Sequence, residues 1–476
     1  MRSTLALLFV LTLFAAPFTA DEAAAGHLAR IEIQTADVLG TRAVLEELGY
    51  DVAAHDRVAG RVEVIAPASE LTNLRAFGAA RVVELSRPFR EIQEELAPGL
   101  APDDRYKTYG EVVSALNAIE AAHPSIARVV DMTSELGTSP TWEGRHIVAM
   151  KISDNVDVDE DEPTVLFDSL HHARELNTIE VALDIVDKLT GFYDQNQRVK
   201  DWVDSLEIWV VPVVNPDGLE FVWSDEQFWR KNRRDNGGGI FGVDLNRNYP
   251  FQWGECGNNS GDPDSDVYRG PAPLSEPEVQ TILALADSIR PVIYNSYHSS
   301  GQEVLPPYVC ADLAEAPLID TVREVYRERM DYEWRVASSS GESFEWFYNQ
   351  VSSIGFLTEI GTQFQPPFEE TEAEVERVRP GWAFLLDAML AGPLVTGNVT
   401  DALSGLPVEA SLTSDRVDFT EGERRSSDPE EGRYGWFLAP GNHFLSFTAP
   451  GYEPLTVLVD SVAGGVELDV ALDPEP

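Results

Sequence analysis

Four short apolar runs constrain this chain more than anything else in it: Val165-Leu166-Phe167, Leu206-Glu207-Ile208-Trp209-Val210-Val211-Pro212-Val213-Val214, Pro291-Val292-Ile293-Tyr294-Asn295-Ser296-Tyr297 and Phe356-Leu357-Thr358. Apolar runs of strand length suit strands buried on both faces, which need helices on either side to cover them. Helical patterns supply that cover. Thr178 to Tyr193 carries Ile179, Leu183, Ile185 and Leu189 at helical spacing, Tyr109 to His123 fits an amphipathic helix, and Ala127–Asp131 and His146–Ile152 fit further strands. The alternation runs from near Tyr106 to Leu390, so the predicted class is α/β: a mixed, twisted sheet with helices on both faces.

Ionisable residues end three of the four runs. The first leads into Leu170-His171-His172-Ala173-Arg174-Glu175, the third ends at His298, and the fourth leads to Glu359. Open α/β sheets place their sites at the carboxyl ends of strands. His172 and Glu175 are zinc-ligand types three residues apart, so one turn can aim both at a single ion. Two imidazoles, one carboxylate and a further carboxylate match a catalytic zinc site with an open fourth position. Trp229-Arg230-Lys231 and Asp244-Leu245-Asn246-Arg247-Asn248 add cationic and amide donors. Alone, His298 reads equally as a buried structural histidine, Glu359 as a helix cap and Arg247 as a surface ion pair. Their joint occurrence in this order points to hydrolysis.

From about Tyr106 to Leu390 the chain resembles the funnel-type zinc carboxypeptidases, the family of pancreatic carboxypeptidases A and B and of bacterial carboxypeptidase T. The motifs that carry the resemblance are His172-Ala173-Arg174-Glu175, Arg230, Asp244-Leu245-Asn246-Arg247-Asn248, Ser296-Tyr297-His298-Ser299 and Glu359. The resemblance implies that His172, Glu175 and His298 hold one Zn2+, and that Asp244 orients the imidazole of His172. It implies that Asn246 and Arg247 grip the terminal carboxylate of a peptide substrate, with Arg174 assisting. Arg230 would polarise the scissile carbonyl, and Glu359 would take the proton of the attacking water and pass it to the leaving amine.

The chain departs from the family in one respect. The family has a mobile tyrosine that closes over the substrate. Counting back from Glu359 through Trp346 and Tyr348-Asn349-Gln350, that place falls on Ala337 in Arg335-Val336-Ala337-Ser338, with Tyr332 as the nearby alternative. By the same resemblance, Ser338 to Phe344 lines the pocket for the terminal side chain. Phe344 would favour apolar side chains there, and Glu342 would favour Lys or Arg.

The flanks read as separate units. Met1-Arg2, an apolar stretch from Leu5 to Phe14 and small residues near Ala20 and Ala23–Ala25 make a signal peptide over 1–25, which implies a secreted or periplasmic protein. Such a compartment allows Cys256 and Cys310 to pair, and one disulfide is expected. Residues 26–88 alternate strand and helix patterns as a small α+β unit, and 89–105, rich in Pro, Glu and Arg, reads as a linker. A unit of this kind joined by a cuttable linker looks like a proregion, and its composition fits an ordinary accessory domain equally well. The catalytic part is expected over 106–392. Beyond it, 393–476 holds short strands punctuated by turn dipeptides, the pattern of a β-sandwich, and is similar to the transthyretin-like domain of carboxypeptidases D and E.

A net charge of −46 disfavours nucleic acid and anionic membranes as partners, and no run after the first residues is long enough to span a bilayer. The expected partners are peptide or protein C-termini. Two other readings stay open: a zinc amidase acting on peptidoglycan stem peptides, and a peptide-binding relative without turnover.

Overall fold

The structure, a computed structural model, describes residues 27–96 and 105–476. The expected signal peptide and the part of the expected linker at 97–104 lie outside the described residues.

The first unit runs β1 (Leu28–Gln34), α1 (Val38–Glu47), β2 (Asp51–Asp56), β3 (Arg61–Pro67), α2 (Leu71–Leu74), β4 (Ala79–Leu85) and α3 (Phe89–Leu96). Its four strands form one sheet in the order β2-β3-β1-β4. Ile31, Ile33, Val62, Val64, Leu45 and Leu74 make its own small core, because alternate strand residues point to the helical face. The structure differs from the sequence expectation at 89–96, where α3 replaces linker. Phe89 and Ile92 lie three residues apart on this helix and pack against Tyr106, Val112, Leu170 and Trp223 of the larger unit. That burial compensates for the polar, glutamate-rich remainder of the helix.

The middle unit continues with α4 (Tyr109–Ala122), β5 (Ala127–Asp131), α5 (Met132–Glu135), β6 (Val148–Ile152), β7 (Thr164–Ser169), α6 (Asn177–Gly191), α7 (Gln197–Val203), β8 (Glu207–Val211) and α8 (Pro216–Ser224). It is completed by α9 (Pro277–Ile289), β9 (Ile293–His298), β10 (Glu303–Leu305), α10 (Ala316–Met330), β11 (Glu333–Trp334), α11 (Ser343–Val351), β12 (Ile354–Glu359) and α12 (Phe368–Ala391). Its eight strands form one mixed sheet, ordered β11-β10-β12-β9-β7-β8-β6-β5. The centre, β12-β9-β7-β8, is parallel, and antiparallel pairs flank it. Side chains alternate between two cores. Val165, Phe167, Ile208, Val210, Ile293 and Phe356 meet α6, α10 and α12 on one face. Leu166, Trp209, Val211, Tyr294 and Leu357 meet α9 and α11 on the other. This two-sided burial is why the central runs lack polar alternation. Among the described residues, no helix is long and apolar enough to cross a membrane.

The last unit is a sandwich of two small sheets. One joins β13 (Leu394–Asp401), β15 (Arg433–Phe437), β18 (Val466–Glu467) and β19 (Val470–Leu472), and the other joins β14 (Ser411–Ser414), β16 (Gly441–Thr448) and β17 (Leu455–Ser461). Val395, Val399, Leu412, Trp436, Leu445, Phe447 and Val459 share the core between them.

A buried cation ties this sandwich to the end of α11. Arg425 donates to Glu315 Oε2 at 2.7 Å and to the carbonyl of Tyr348 at 2.9 Å, with its guanidinium 4.8 Å from the Tyr348 ring and 4.6 Å from the Phe419 ring. Trp436 Nε1 donates to the other oxygen of Glu315 at 2.9 Å. Removing one partner of a buried pair strands the other charge. Arg425→Ala is therefore expected to lower stability by about 3–5 kcal/mol, read from the denaturant midpoint. A loss below about 1 kcal/mol, the range of exposed pairs, would show that this contact does not tie the units.

Candidate active site

The carboxyl ends of three adjacent strands, β7, β9 and β12, deliver the ionisable groups to one place. In the β9–β12 ladder His298 lies directly opposite Glu359. Strand β7 stops at Ser169, and the chain turns through Leu170, held at φ +57°, before presenting His171 to Glu175 ahead of α6. A left-handed leucine costs energy and persists only where its surroundings over-determine it. Here they do, since Asn215 N–H donates to the Leu170 carbonyl at 3.1 Å, the Asn215 side chain donates to the His171 carbonyl at 3.0 Å, and Ala173 N–H donates to the Arg230 carbonyl at 3.0 Å. Gly218 completes the support, because a Cβ there would stand 2.7 Å from that of Ala173.

The side chains of His172, Glu175 and His298 converge, and all three are buried. His172 Nδ1 is 2.7 Å from Glu175 Oε1 and 3.1 Å from His298 Nδ1, which is 3.2 Å from Glu175 Oε2. Ligands at zinc distances of about 2.0–2.1 Å would stand roughly 3.3 Å apart in a tetrahedron, so the donor set fits that ion. His172 Nε2 faces Asp244 Oδ1 at 3.2 Å, which puts the ring proton on that side and leaves Nδ1 a lone pair for a cation. Burial and the nearby Arg230 lower the pKa of both histidines, that of His298 to about 3, so both are in the neutral form that binds metal.

Glu359 stands beside this cluster. Burial and the charge of Glu175 push its carboxyl up to about 8, against the opposing effect of Arg335. Its Oε2 is buried without a hydrogen-bond partner, and Oε1 lies 3.5 Å from Arg335 Nη2. A carboxyl held this way exchanges a proton near neutral pH.

The short turn Leu245–Arg247 presents the donors. Asp244 caps it by accepting from Asn246 N–H at 3.1 Å. The same carboxylate accepts from Arg230 Nε at 2.9 Å and Nη2 at 2.8 Å, which holds its pKa well below the carboxylate range despite full burial. Arg247 is braced by the Asn258 carbonyl at 2.9 Å, the Asn246 carbonyl at 2.7 Å and Glu342 Oε1 at 2.8 Å. The amide of Asn246 accepts from Ser343 N–H at 2.9 Å and lies 3.4 Å from His298 Nε2.

One cavity is therefore lined by His172, Glu175, His298, Glu359, Arg230, Asn246, Arg247 and Arg174, with Asp244 behind the imidazole of His172. Glu342 lines it too, while Phe344 is buried in the core on the far face. Tyr332 turns its hydroxyl away to Glu374, and Ala337 is buried. Cys256 and Cys310 form the expected disulfide.

The structure adds three residues that the sequence did not single out. Asp51 on β2 accepts from both Nη1 and Nη2 of Arg174, the latter at 2.8 Å, and Arg174 stacks on Phe364 at 4.2 Å. His171, hydrogen-bonded to the Tyr249 hydroxyl at 2.8 Å, stacks on His298 with centroids 5.3 Å apart and fixes that ring from behind. Arg335 reaches the cavity next to Glu359. No local motif marks Asp51 or Arg335, and His171, although it stands in the motif that holds His172 and Glu175, acts through Tyr249 and His298, both distant in sequence.

Comparisons with known proteins identify the family and the fold. The zinc carboxypeptidase family profile matches residues 112–379. A zinc carboxypeptidase of Saccharothrix mutabilis subsp. capreolus is 44% identical over 154 residues, 32% of this chain, so the match spans about a third (34%) of that relative's length. Metallocarboxypeptidase A of Trichophyton tonsurans is 28% identical over 336 residues, covering 67% of this chain and 78% of the relative. Among solved structures, carboxypeptidase A from Helicoverpa armigera superposes with a TM-score of 0.63 at 22% identity, covering 76% of this chain and 96% of that one. Thrombin activatable fibrinolysis inhibitor gives 0.62 at 19% identity, with 76% and 99% covered. At these identities the two structures show the shared fold. With a matched profile over more than half its length, the chain belongs to the zinc carboxypeptidase family.

Proposed function

We propose that this protein is an exported metallocarboxypeptidase that removes C-terminal residues from peptides and is held latent by its first unit. The observation that carries the reading is the placement of Glu359 next to three converging ligand atoms, in a cavity whose opposite wall is Asn246 and Arg247. His172, Glu175 and His298 would hold a zinc ion, which would supply a Lewis acid and lower the pKa of a water to roughly 7. Glu359 takes the proton of the attacking water through its unpartnered Oε2 and hands it to the leaving amine. Arg230, locked by Asp244, meets the charge that develops on the carbonyl oxygen. Asn246 and Arg247 require a free carboxylate at a fixed distance from Glu359, and a peptide continuing past that point leaves the guanidinium unpaired. The start of the chain, with its charged residue and apolar stretch, supports export, as does the disulfide.

Latency rests on β2. Asp51, Val52, Ala53, Ala54 and His55 line the mouth of the cavity, and Asp51 occupies Arg174, which a substrate would otherwise use. Cutting between 97 and 104 would leave a fragment docked by α3 and by this ion pair. The sandwich supports α11 and needs no chemistry of its own.

Two outcomes test the reading. Glu359→Gln is expected to keep stoichiometric zinc while kcat on model peptides falls about 10²–10⁴-fold; near-normal turnover in that variant would refute the general-base role. Metal removal should abolish turnover, and zinc should restore it.

The second outcome concerns pH. Burial raises the pKa of Asp51, but Arg174 outweighs it and holds the carboxyl below its ordinary range. Docking through this pair is therefore at full strength above the free carboxylate value of about 4 and is lost as pH falls through the lower docked value. After linker cleavage the two fragments should co-elute at pH 6 and dissociate progressively as pH falls below the free carboxylate value of about 4. Asp51→Asn should separate already at pH 6 and raise activity. Co-elution of that variant at pH 6 with unchanged activity would remove the latch.

A further inference from the structure

We propose that Arg335 is the group that closes on the substrate, by swinging its guanidinium onto the terminal carboxylate held by Arg247. This rests on the carboxypeptidase reading and names the contact that replaces the family's missing tyrosine.

Few cationic donors in the cavity are free. An incoming carboxylate brings a full negative charge into a buried cavity that already holds Glu342 and Glu359. Burying it without a paired cation is costly. Arg230 is committed to Asp244 through Nε and Nη2. Arg247 has Nε on one carbonyl and Nη1 shared between a second carbonyl and Glu342, which leaves Nη2 for the ligand. That nitrogen and the Asn246 amide can meet the two carboxylate oxygens, but Arg247 is the one cation of the two and Glu342 already offsets its charge, so the incoming anion still calls for a second guanidinium.

Arg335 is placed to provide it. Its Nε donates to Glu303 Oε2 at 2.6 Å, while Nη2 stands 3.5 Å from Glu359 Oε1, outside hydrogen-bond range. Nη1 donates to the carbonyl of Val336 at 3.3 Å, so Nη2 is the nitrogen that faces the cavity without a hydrogen bond. The Arg335 side chain keeps 22% of its surface exposed, and turning about its aliphatic torsions would exchange the Glu303 bond for the substrate carboxylate.

The backbone explains why a long side chain does this work. On one side β11 is paired to β10, and Arg335 N–H reaches the Val304 carbonyl at 3.4 Å. On the other side Asn258 N–H donates to the Ser338 carbonyl at 2.8 Å, Ser340 N–H to Cys256 at 3.2 Å and Tyr249 N–H to Gly341 at 3.1 Å. The disulfide from Cys256 to Cys310 anchors the loop that makes these bonds. A backbone strapped at both ends does not carry a residue across the cavity. Rotation of a flexible side chain needs no backbone motion.

The test uses the full chain cut at the linker in an Asp51→Asn background, which frees the cavity of the first unit, with Arg335 unchanged, Arg335→Ala and Arg335→Lys. The readouts are zinc content, kcat/KM on a peptide with a free terminus, and inhibition constants for N-acetylphenylalanine and for its primary amide. Arg335→Ala is expected to weaken N-acetylphenylalanine about 10- to 100-fold, as loss of a charge-assisted hydrogen bond does, with zinc content and amide inhibition unchanged. Arg335→Lys should recover part of the loss. Equal inhibition by the acid with Arg335 unchanged and with Arg335→Ala, with only the pH profile of kcat displaced, would overturn the proposal and assign Arg335 to Glu359 alone. Failure of the enzyme with Arg335 unchanged to cleave any peptide would instead count against the carboxypeptidase reading.

Discussion

The ladder between β9 and β12 is the constraint on which the rest of the molecule depends. Backbone hydrogen bonding sets His298 opposite Glu359, so a metal ligand and the carboxyl beside it are spaced by strand geometry. Neighbouring parallel strands lie about 4.8 Å apart, which no side-chain rearrangement can alter. β7 adds the other two ligands from the next position in the sheet. Rigid placement of this kind is what a reaction sensitive to displacements of an ångström requires.

Around that ladder, most buried charges have an answering one. Asp244 serves Arg230 and His172 together, Glu342 braces Arg247, Asp51 meets Arg174 and Glu303 meets Arg335. Carboxylates outnumber cations close to the ligand cluster, and the excess gathers at Glu175 and Glu359, where a divalent ion would sit. On the proposed reading, the site would take a cation and an anionic substrate in turn, and the carboxylate of Asp51 on Arg174 would stand in for the substrate.

Much of this was legible in the chain itself. Apolar runs that end abruptly in His or Glu mark strand termini, because parallel strands leave no room for polar groups until they emerge from the sheet. His172, Glu175, His298 and Glu359 were readable for that reason, and Asp244, Asn246 and Arg247 because they form one compact motif. Asp51 was not readable, since its partner Arg174 is 123 residues away and β2, with two alanines and two aspartates, carries a weak strand signal. The segment of α3 reads as linker on composition, although Phe89 and Ile92 have helical spacing. The role of Arg335 depends on three segments meeting in space, and only the folded molecule supplies that information.

The Arg425 contact has a further consequence for how the molecule must be handled. Glu315, Tyr308 and Tyr348 all present polar or aromatic surface to the sandwich, and Asn349 bonds both Tyr308 and the carbonyl of Glu421. A shortened polypeptide ending at Gly392 would bare this face to water and leave Glu315 a lone anion beside it. The border that looks in the sequence like a place to divide the protein is thus a shared wall, and expressing the peptidase unit by itself would produce an aggregation-prone fragment rather than a smaller enzyme.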